Sequence, residues 1–537
     1  MKQDGIAFHH PVAFWGGALL VLLGVLSHGP MLWMGRHTHW QMVGMPMTWE
    51  MWVGMALIPI GLLLAMYGLM PRLEQMRRSA HPVDGHRFFH VADGVPLNRA
   101  HWTLVAVLIV ALAVDVMKPA TLGFVLPGMS DEYAISKQHA GWLPLVALTG
   151  TTVGSVLWGR IGDLFGRRAA ILLSALMFIG TAICGAMPSF GWNLAMCFLM
   201  GASAGGLLPI AFTLMAETIP AAQRGWLLVL LGGIGTSAGY LLASGAAATL
   251  EPMFSWRILW LLGLPTGALI IVLNRWIPES PRFLSSAGLD AQARAVLRRF
   301  AHGALERDDS AHPGPPVIDE THPVVGMRSL LHGRHARISW GLLVCGVAWG
   351  LVNFGVLLWL PVNLVELGVD AQATSTLLAK SALLAVPGII PVIWLYHHWS
   401  TVKSLVLFIA LTTLSLLAFV LIGWLQPHSQ AITITATVAL LVSVSGVIAM
   451  LIPYAAEIYP VHLRGTGSGV IAAGTKFGGI VGAGLGVAGF FQHFVLSAML
   501  VALPMAVAAL ILLRHGVETR GRRLEDIERS LSGDAIG

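Results

Sequence analysis

The chain has 537 residues, of which 56% are hydrophobic and only 11% are Asp, Glu, Lys or Arg. An ordinary soluble protein carries roughly 25% charged residues, so the composition excludes a typical soluble domain and indicates a membrane protein. The formal net charge of +6 does not indicate nucleic-acid binding, because the arginines cluster in short loops between apolar runs, as they do on the cytoplasmic side of membrane proteins.

Apolar runs long enough to cross a bilayer recur along the whole chain. A spanning helix needs about 20 predominantly apolar residues, and helices are expected because lipid offers exposed backbone groups no hydrogen-bond partner. An all-α membrane protein with both termini in the cytoplasm, in a bacterial inner membrane, is predicted from these runs and from the loop charges. The predicted spans are 12–34, 48–70, 101–126, 139–161, 169–189, 191–215, 225–248, 255–277, 337–361, 374–397, 402–425, 430–454, 465–488 and 490–514.

The first two spans and their polar connector, residues 1–100, carry a separate signal. Methionine and histidine recur through the predicted outer loop and its helix ends, and thioether and imidazole groups are ligands that suit Cu(I). Methionine is also a routine filler of helix ends, so copper handling is an alternative rather than the main prediction. The residues concerned are His28, Met31, Met34, His37, His39, Met42, Met45, Met47, Met51 and Met55.

Residues 159–168 place three arginines between two long apolar runs. We predict a tight cytoplasmic loop here, because glycines permit a sharp turn and arginines cannot enter lipid. Asp163 is expected to face the positive N-terminal end of a nearby helix. The residues that define this pattern are Gly159, Asp163, Gly166, Arg167 and Arg168.

The chain contains an internal duplication. The pattern Glu-x-x-Pro-x-x-x-Arg-Gly occurs at 217–225 and again at 457–465, each time between two apolar runs. We therefore predict two six-helix halves, 101–277 and 337–514. A cytoplasmic linker, 278–336, with an amphipathic helix near 289–302, joins the halves, and a cytoplasmic tail, 515–537, follows them.

Each half is followed by a charged segment. The first reads Pro-Glu-Ser-Pro-Arg-Phe-Leu at 278–284, and the second begins Glu-Thr-Arg-Gly at 518–521. Together with the 159–168 pattern, these segments resemble those of the major facilitator superfamily, in its branch of sugar porters and metabolite–proton symporters. The resemblance covers roughly 101–530 and implies two six-helix bundles, twelve core helices, that carry a substrate between them by alternating access.

The resemblance also assigns a gating role to charged residues at the cytoplasmic ends of helices. Glu217 is expected to brace Arg224, and Glu457 to brace Arg464, when the cytoplasmic side is closed. Glu279 and Arg282 would latch the halves in one state. The paired glutamines that mark sugar binding in this branch are missing from 349–355, which disfavours a hexose substrate and favours organic acids.

Charged residues within predicted spans are candidates for coupling and binding, because an ionisable group is costly at mid-membrane. Asp115 and Lys118 lie three residues apart on one helix face, where Asp115 is either a proton carrier or half of a structural ion pair. Lys118, Lys380 and Lys476 are candidate cations for an anionic substrate, although Lys380 could extend to the outer surface. Asn353 could donate a hydrogen bond to the substrate.

These observations predict a proton-coupled secondary transporter, expected to be a monomer, whose substrate is a small organic anion such as an aromatic or short carboxylate.

 A drug or metabolite efflux antiporter is the second hypothesis, and copper handling by residues 1–100 is the third. Neither a catalytic triad nor a metalloprotease or nucleotide-binding motif occurs, so we expect no enzymatic activity, cofactor or resident metal. The expected partners are the substrate, protons and the lipid bilayer.

Overall fold

The computed structural model describes residues 10–69, 95–286, 289–301, 336–366, 370–425, 430–459, 461–490 and 494–520, and these ranges contain helices and no strand. Most of the predicted linker, 302–335, and the tail beyond 520 lie outside the described residues. The helices are α1 (Pro11–Leu26), α2 (Gly29–Gly35), α3 (Trp49–Leu69), α4 (Arg99–Glu132), α5 (Trp142–Phe165), α6 (Arg167–Gly180), α7 (Phe190–Ala204), α8 (Leu207–Thr218), α9 (Ala221–Phe254), α10 (Gly263–Leu273), α11 (Asp290–Ala301), α12 (Ala336–Leu351), α13 (Leu358–Glu366), α14 (Ala371–Ala385), α15 (Ile389–His398), α16 (Thr401–Leu425), α17 (Gln430–Ile458), α18 (Val461–Val487) and α19 (Phe494–His515).

The described residues form 13 helical segments that are long and apolar enough to cross a membrane. The remaining predicted span, 191–215, is divided into α7 and α8 by Gly205 and Gly206. Side chains of α5 accommodate this break, because Trp158 Nε1 donates to the carbonyl of Ala202 at 2.7 Å and Ser155 Oγ donates to that of Gly205 at 2.6 Å. The carbonyl groups of Ala202 and Gly205 are therefore hydrogen-bonded despite the break.

Contacts divide the chain into two compact units. The first comprises Met1–Pro119, Thr149–Arg224 and Thr249–Ile318, and the second comprises Ala120–Leu148, Gly225–Ala248 and Asp319–Gly537. These units differ from the predicted halves, because the C-terminal part of α4 and most of α9 belong to the second unit. The division at 101–277 and 337–514 stays a prediction about the repeat.

In the first unit, α1 and α3 pack closely through glycines. A Cβ atom on Gly61 would lie 2.6 Å from the carbonyl oxygen of Gly17, so the two backbones are in direct contact there. Such small-residue contacts bring membrane helices together where apolar side chains gain nothing by leaving lipid. The pair also covers α6, since a Cβ on Gly180 would lie 2.8 Å from Ile58 Cγ2.

The methionine and histidine residues of this region do not share one environment. His28, Met31, Met42 and Met51 are buried, whereas Met34, His37 and His39 are exposed. Among the described residues no group of three or more His, Cys, Asp or Glu side chains could hold a metal ion. Copper handling, which would draw on thioether ligands, stays a hypothesis.

The linker begins with the amphipathic helix that the sequence predicts. Ala293, Leu297 and Phe300 on one face of α11 are buried. The Asn98 side chain, just before α4, donates to the carbonyls of Arg299 and Phe300 at 3.2 and 2.9 Å. Asn98 therefore caps the C-terminal end of α11 and fixes it beside the start of α4.

The glycine contact between α1 and α3 can be tested with two matched substitutions. Gly61→Ala should destabilise the protein by about 1–3 kcal/mol, because the added methyl group has no space. Gly16→Ala, whose Cβ would meet only Leu64 Cδ2 at 3.9 Å, should be neutral or stabilising, because alanine favours a helix by up to about 1 kcal/mol. Thermal unfolding of both purified variants in detergent measures the difference, and equal melting temperatures would contradict the close packing.

Candidate transport site and cytoplasmic contacts

Asp115 and Lys118 form a buried ion pair on α4. Lys118 Nζ lies 3.2 Å from Asp115 Oδ1, and the two side chains are 2% and 6% exposed, respectively. The ammonium group also lies 3.9 Å from the centre of the Phe178 ring on α6, close enough for a cation–π contact. All three residues belong to the first unit. Because removing two charges from water is costly, a pair of this kind depends on both partners being present.

The pair can change its net charge by taking up one proton. With Asp115 ionised, the two charges neutralise each other. With Asp115 protonated, the charge of Lys118 has lost its partner in a medium where isolated charges are costly. The helix runs unbroken past Pro119, so this proline does not open α4.

The other predicted binding residues lie on helices of the second unit. Asn353 is half-buried in a π-helical turn, Val352–Leu357, between α12 and α13. Lys476 is half-buried on α18. These segments touch, because a Cβ on Gly479 would lie 2.7 Å from Phe354 Cδ2. Lys380 on α14 is exposed, as expected for a lysine that extends to a surface.

On the predicted outer side, glycines allow close contacts between helices of the two predicted halves. Both contacts described here lie within the second compact unit. A Cβ on Gly123 of α4 would lie 2.5 Å from the carbonyl oxygen of Leu358, at the start of α13. A Cβ on Gly141, just before α5, would lie 2.9 Å from the backbone nitrogen of Val487. Neither position has room for a side chain, so these helices are closed against each other at this level.

The predicted loop at 159–168 is wrong in its length. Gly159 to Phe165 continue α5, and the whole reversal occurs at Gly166, whose φ of 100° suits glycine. The sequence suggested a longer loop because arginines were counted as loop residues. At a helix end, however, arginine can stay helical while its charged group extends away from the apolar region.

The carboxylate of Glu279 occupies the N-terminal end of α6. Its carboxylate accepts hydrogen bonds from the backbone N–H groups of Arg167 at 2.7 Å and Arg168 at 3.1 Å. These N–H groups lie in the first turn of the helix and have no partner within it, and an anion there also interacts favourably with the helix dipole. Burial raises the pKa of Glu279, although these hydrogen bonds, one from the Ser280 backbone and the charge of Arg167 oppose that effect.

The same segment reaches α8. The Ser280 hydroxyl donates to Glu217 Oε2, and Arg224 donates to the carbonyl of Ile219 at 3.2 Å. Glu217 is thereby connected to Glu279 through the adjacent serine. Asp163, Arg282 and Arg464 have side chains outside the described residues, so their gating roles stay predictions.

The second half repeats this arrangement with different residues. Glu518 accepts hydrogen bonds from the Thr401 backbone N–H at 3.0 Å, at the start of α16, and from the Ser400 hydroxyl. The adjacent Thr519 hydroxyl donates to Glu457 at 2.7 Å, as Ser280 does to Glu217. Burial alone would raise the pKa of Glu518, but the hydrogen bonds from Ser400, Arg520 and Thr401 outweigh it and lower the pKa.

Sequence reasoning missed Glu518, Thr519, Ser400, Thr401 and Tyr396 as members of this second contact. The segment 396–403 lacks the arginines of 159–168, so it gave no motif signal. Tyr396 donates its hydroxyl to Glu457 at 3.0 Å. The usable signal was the pairing of Glu279-Ser280 with Glu518-Thr519 at matching ends of the two halves.

Comparisons with known proteins agree with this architecture. A family model described as Major Facilitator Superfamily matches residues 103–483. The niacin transporter NiaP of Acinetobacter baylyi is 30% identical over 455 residues, which cover 81% of this chain and 98% of that protein. The 4-hydroxybenzoate transporter PcaK of Pseudomonas putida is 26% identical over 427 residues, which cover 78% and 93% of the two chains.

Among solved structures, the partially occluded inward-open conformation of the xylose transporter XylE from E. coli matches with a TM-score of 0.63. The identity is 16%, and the match covers 80% of this chain and 100% of that one. At this identity the likeness concerns the fold alone. The matched fold and the 13 apolar helices make the chain a multi-pass membrane protein.

The opposite pKa shifts of the two capping glutamates give a testable difference. Glu518→Gln should lower the melting temperature by about 2 °C or more, because hydrogen bonds to a charged acceptor contribute about 1.5–3 kcal/mol. Glu279→Gln should be milder, because burial raises the pKa of Glu279 and makes its charge less favourable in the folded state than in water. The exposed Asp131→Asn is the control.

The difference should also depend on pH. Because the native pKa of Glu518 is lowered, its contribution to stability is present above the unfolded value of about 4.3 and is lost as the pH falls through the native pKa. The stability gap between wild type and Glu518→Gln should therefore shrink in acid. A gap that is constant with pH, or a larger effect for Glu279→Gln, would contradict this assignment.

Proposed function

The chain belongs to the major facilitator superfamily, and from that premise we propose that it is a secondary active transporter of a small organic anion. Transport would occur across the inner membrane by alternating access and would be coupled to protons. The observation that carries the proposal is the buried ion pair of Asp115 and Lys118 on α4.

The proposed substrate class is an aromatic carboxylate. Two relatives that align with this chain over almost their whole length are named as transporters of niacin and of 4-hydroxybenzoate. Both compounds carry a carboxylate on an aromatic ring. Lys476 is the candidate that would meet the carboxylate, because it is half-buried, whereas Lys380 is exposed. An ammonium–carboxylate hydrogen bond is roughly twice as strong as a neutral one.

Coupling would follow from the charge of the ion pair. While Asp115 is ionised, the pair is neutral and has no net attraction for an anion. Protonation of Asp115 leaves the positive charge of Lys118 without its partner, which would favour binding of an anion. By reciprocity, bound substrate would favour protonation, so a proton and an anion would cross together and leave together.

Topology and assembly are part of the proposal. Both termini would lie in the cytoplasm, where the basic loops are expected, and the transporter would act as a monomer because each chain carries both halves of the repeat. The contacts of Glu279 with α6 and of Glu518 with α16 would then lie on the cytoplasmic face and stabilise one of the two alternating states.

Substitution of Asp115 separates coupling from a purely structural ion pair. Asp115→Asn should abolish accumulation driven by a proton gradient while counterflow exchange of labelled niacin continues, because exchange needs no net proton movement. The exposed Asp131→Asn, on the same helix, is the matched control and should behave as wild type. Proteoliposomes with an imposed pH gradient provide the measurement.

A double variant completes the test. Removing one partner of a buried ion pair costs about 3–5 kcal/mol, so Asp115→Asn alone could fail through instability. Asp115→Asn combined with Lys118→Met removes both charges and should recover stability without recovering accumulation. Recovered accumulation in the double variant would show that the pair is structural and would remove Asp115 from the coupling mechanism.

A further inference from the structure

One face of α9 is polar although the helix lies within an apolar span. Ser237, Tyr240 and Ser244 follow Gly233 at the spacing that places residues on one side of a helix, and all four are buried. Polar side chains inside a membrane helix face protein rather than lipid and mark functional positions. Ser244 is satisfied, since its hydroxyl donates to the carbonyl of Tyr240 at 2.9 Å.

Tyr240 differs from its neighbours on this face. The residue is 9% exposed, and its hydroxyl group has no hydrogen-bond partner among the described residues. Its ring lies 5.8 Å from the ring of Phe124 on α4, within the range of an aromatic pair. Leaving a buried hydroxyl unpaired costs about 1–3 kcal/mol, so a retained phenol here suggests a function other than packing.

A second hydroxyl of this kind lies on α14. Ser381 is 0% exposed, and its hydroxyl likewise has no partner among the described residues. Ala385 and Ile389, four and eight residues further along the chain, are also buried, and the Ile389 side chain packs directly on Gly233 of α9. Ile389 begins α15, which a 3₁₀ turn, Val386–Gly388, joins to α14, so the α9 face that carries Tyr240 meets the chain just beyond the helix that carries Ser381.

Helix register places these two hydroxyl-bearing residues at one depth. α9 and the α14–α15 segment run in opposite directions in the predicted topology. Tyr240 lies about 10 Å beyond Gly233 at 1.5 Å per residue, and Ser381 lies about 13 Å before Ile389, because three of the intervening residues form a 3₁₀ turn with a rise of about 2 Å. Both displacements lead towards the predicted outer side. Phe124, Tyr240 and Ser381 all belong to the second compact unit.

We propose that Phe124, Tyr240 and Ser381 form a subsite for the ring of an aromatic carboxylate, which rests on the transport function proposed above. Phe124 packs against the aromatic ring. The two hydroxyl groups hydrogen-bond a polar ring atom, such as the nitrogen of niacin or the hydroxyl oxygen of 4-hydroxybenzoate. Neutral hydroxyls suit this end of the substrate, because the carboxylate is better matched by an ammonium group.

A site built to hydrogen-bond a substrate atom rejects an analogue that lacks it, because the polar groups of the site are then left unpaired. The subsite therefore predicts a preference of the wild type for niacin and 4-hydroxybenzoate over benzoate. That preference, rather than affinity as such, is the quantity that Tyr240 and Ser381 control.

The test measures binding of niacin, 4-hydroxybenzoate and benzoate to the purified full-length protein by competition. Tyr240→Phe and Ser381→Ala should each weaken binding of the first two compounds about threefold to tenfold and leave benzoate unchanged, which also shows that the variants are folded. Phe124→Leu should instead weaken all three, because every one of them carries the ring.

Two controls remove hydroxyl groups from other places. Ser404→Ala deletes another buried hydroxyl without a partner among the described residues, on α16, and Tyr67→Phe deletes an exposed phenol on α3. Both should keep the wild-type preference. An unchanged preference in Tyr240→Phe and Ser381→Ala, with niacin still bound, would overturn the subsite alone. A wild type that binds none of the three compounds would overturn the proposed substrate class, and the subsite with it.

Discussion

Hydrocarbon offers no hydrogen-bond partner, and this one constraint accounts for the arrangement of the polar groups in the protein. Backbone groups are paired within helices, and at several helix ends a residue from another segment supplies the missing partner. Glu279 and Glu518 accept from the first N–H groups of α6 and α16, while Ser155 and Trp158 donate to carbonyls at the break between α7 and α8. The charges of Asp115 and Lys118 satisfy each other. Several buried polar atoms of the described residues lack a protein partner, and the hydroxyls of Tyr240 and Ser381 are the two that we assign to a ligand.

The two halves show which part of the cytoplasmic contact is essential to its geometry. In the first half the carboxylate of Glu279 meets a turn rich in arginine, and in the second half Glu518 meets Ser400 and Thr401. The shared element is a carboxylate at a helix N-terminus with a neighbouring hydroxyl bonded to a second glutamate. A turn rich in arginine is therefore not required for the contact, although Arg520 donates to the carbonyls of His398 and Trp399 beside it in the second half. The opposite pKa shifts have another cause: burial dominates at Glu279 and raises its pKa, whereas hydrogen bonds outweigh burial at Glu518 and lower its pKa.

Much of the fold could be predicted from the sequence, because apolarity over a span length is a strong local signal. The helix near 289–302 and the pairing of Asp115 with Lys118 could also be predicted, because helical periodicity fixes which residues share a face. The break at Gly205 was not, because it depends on side chains of α5 that lie about 50 residues away. The packing of α1 and α3 on α6 could not be predicted either, because a helix face that contacts lipid and one that contacts protein are both apolar in sequence. The subsite around Tyr240 depends on contacts between α4, α9 and α14, which no local pattern encodes.

The central claim, proton-coupled transport of an aromatic carboxylate, is tested most directly by proton movement in proteoliposomes that contain only the wild-type protein. Addition of niacin or 4-hydroxybenzoate outside, without an imposed gradient, should carry protons inward and acidify an enclosed pH indicator, whereas xylose should not. A protonophore should abolish the signal. Uptake of either aromatic acid without proton movement, or acidification by xylose instead, would contradict the account.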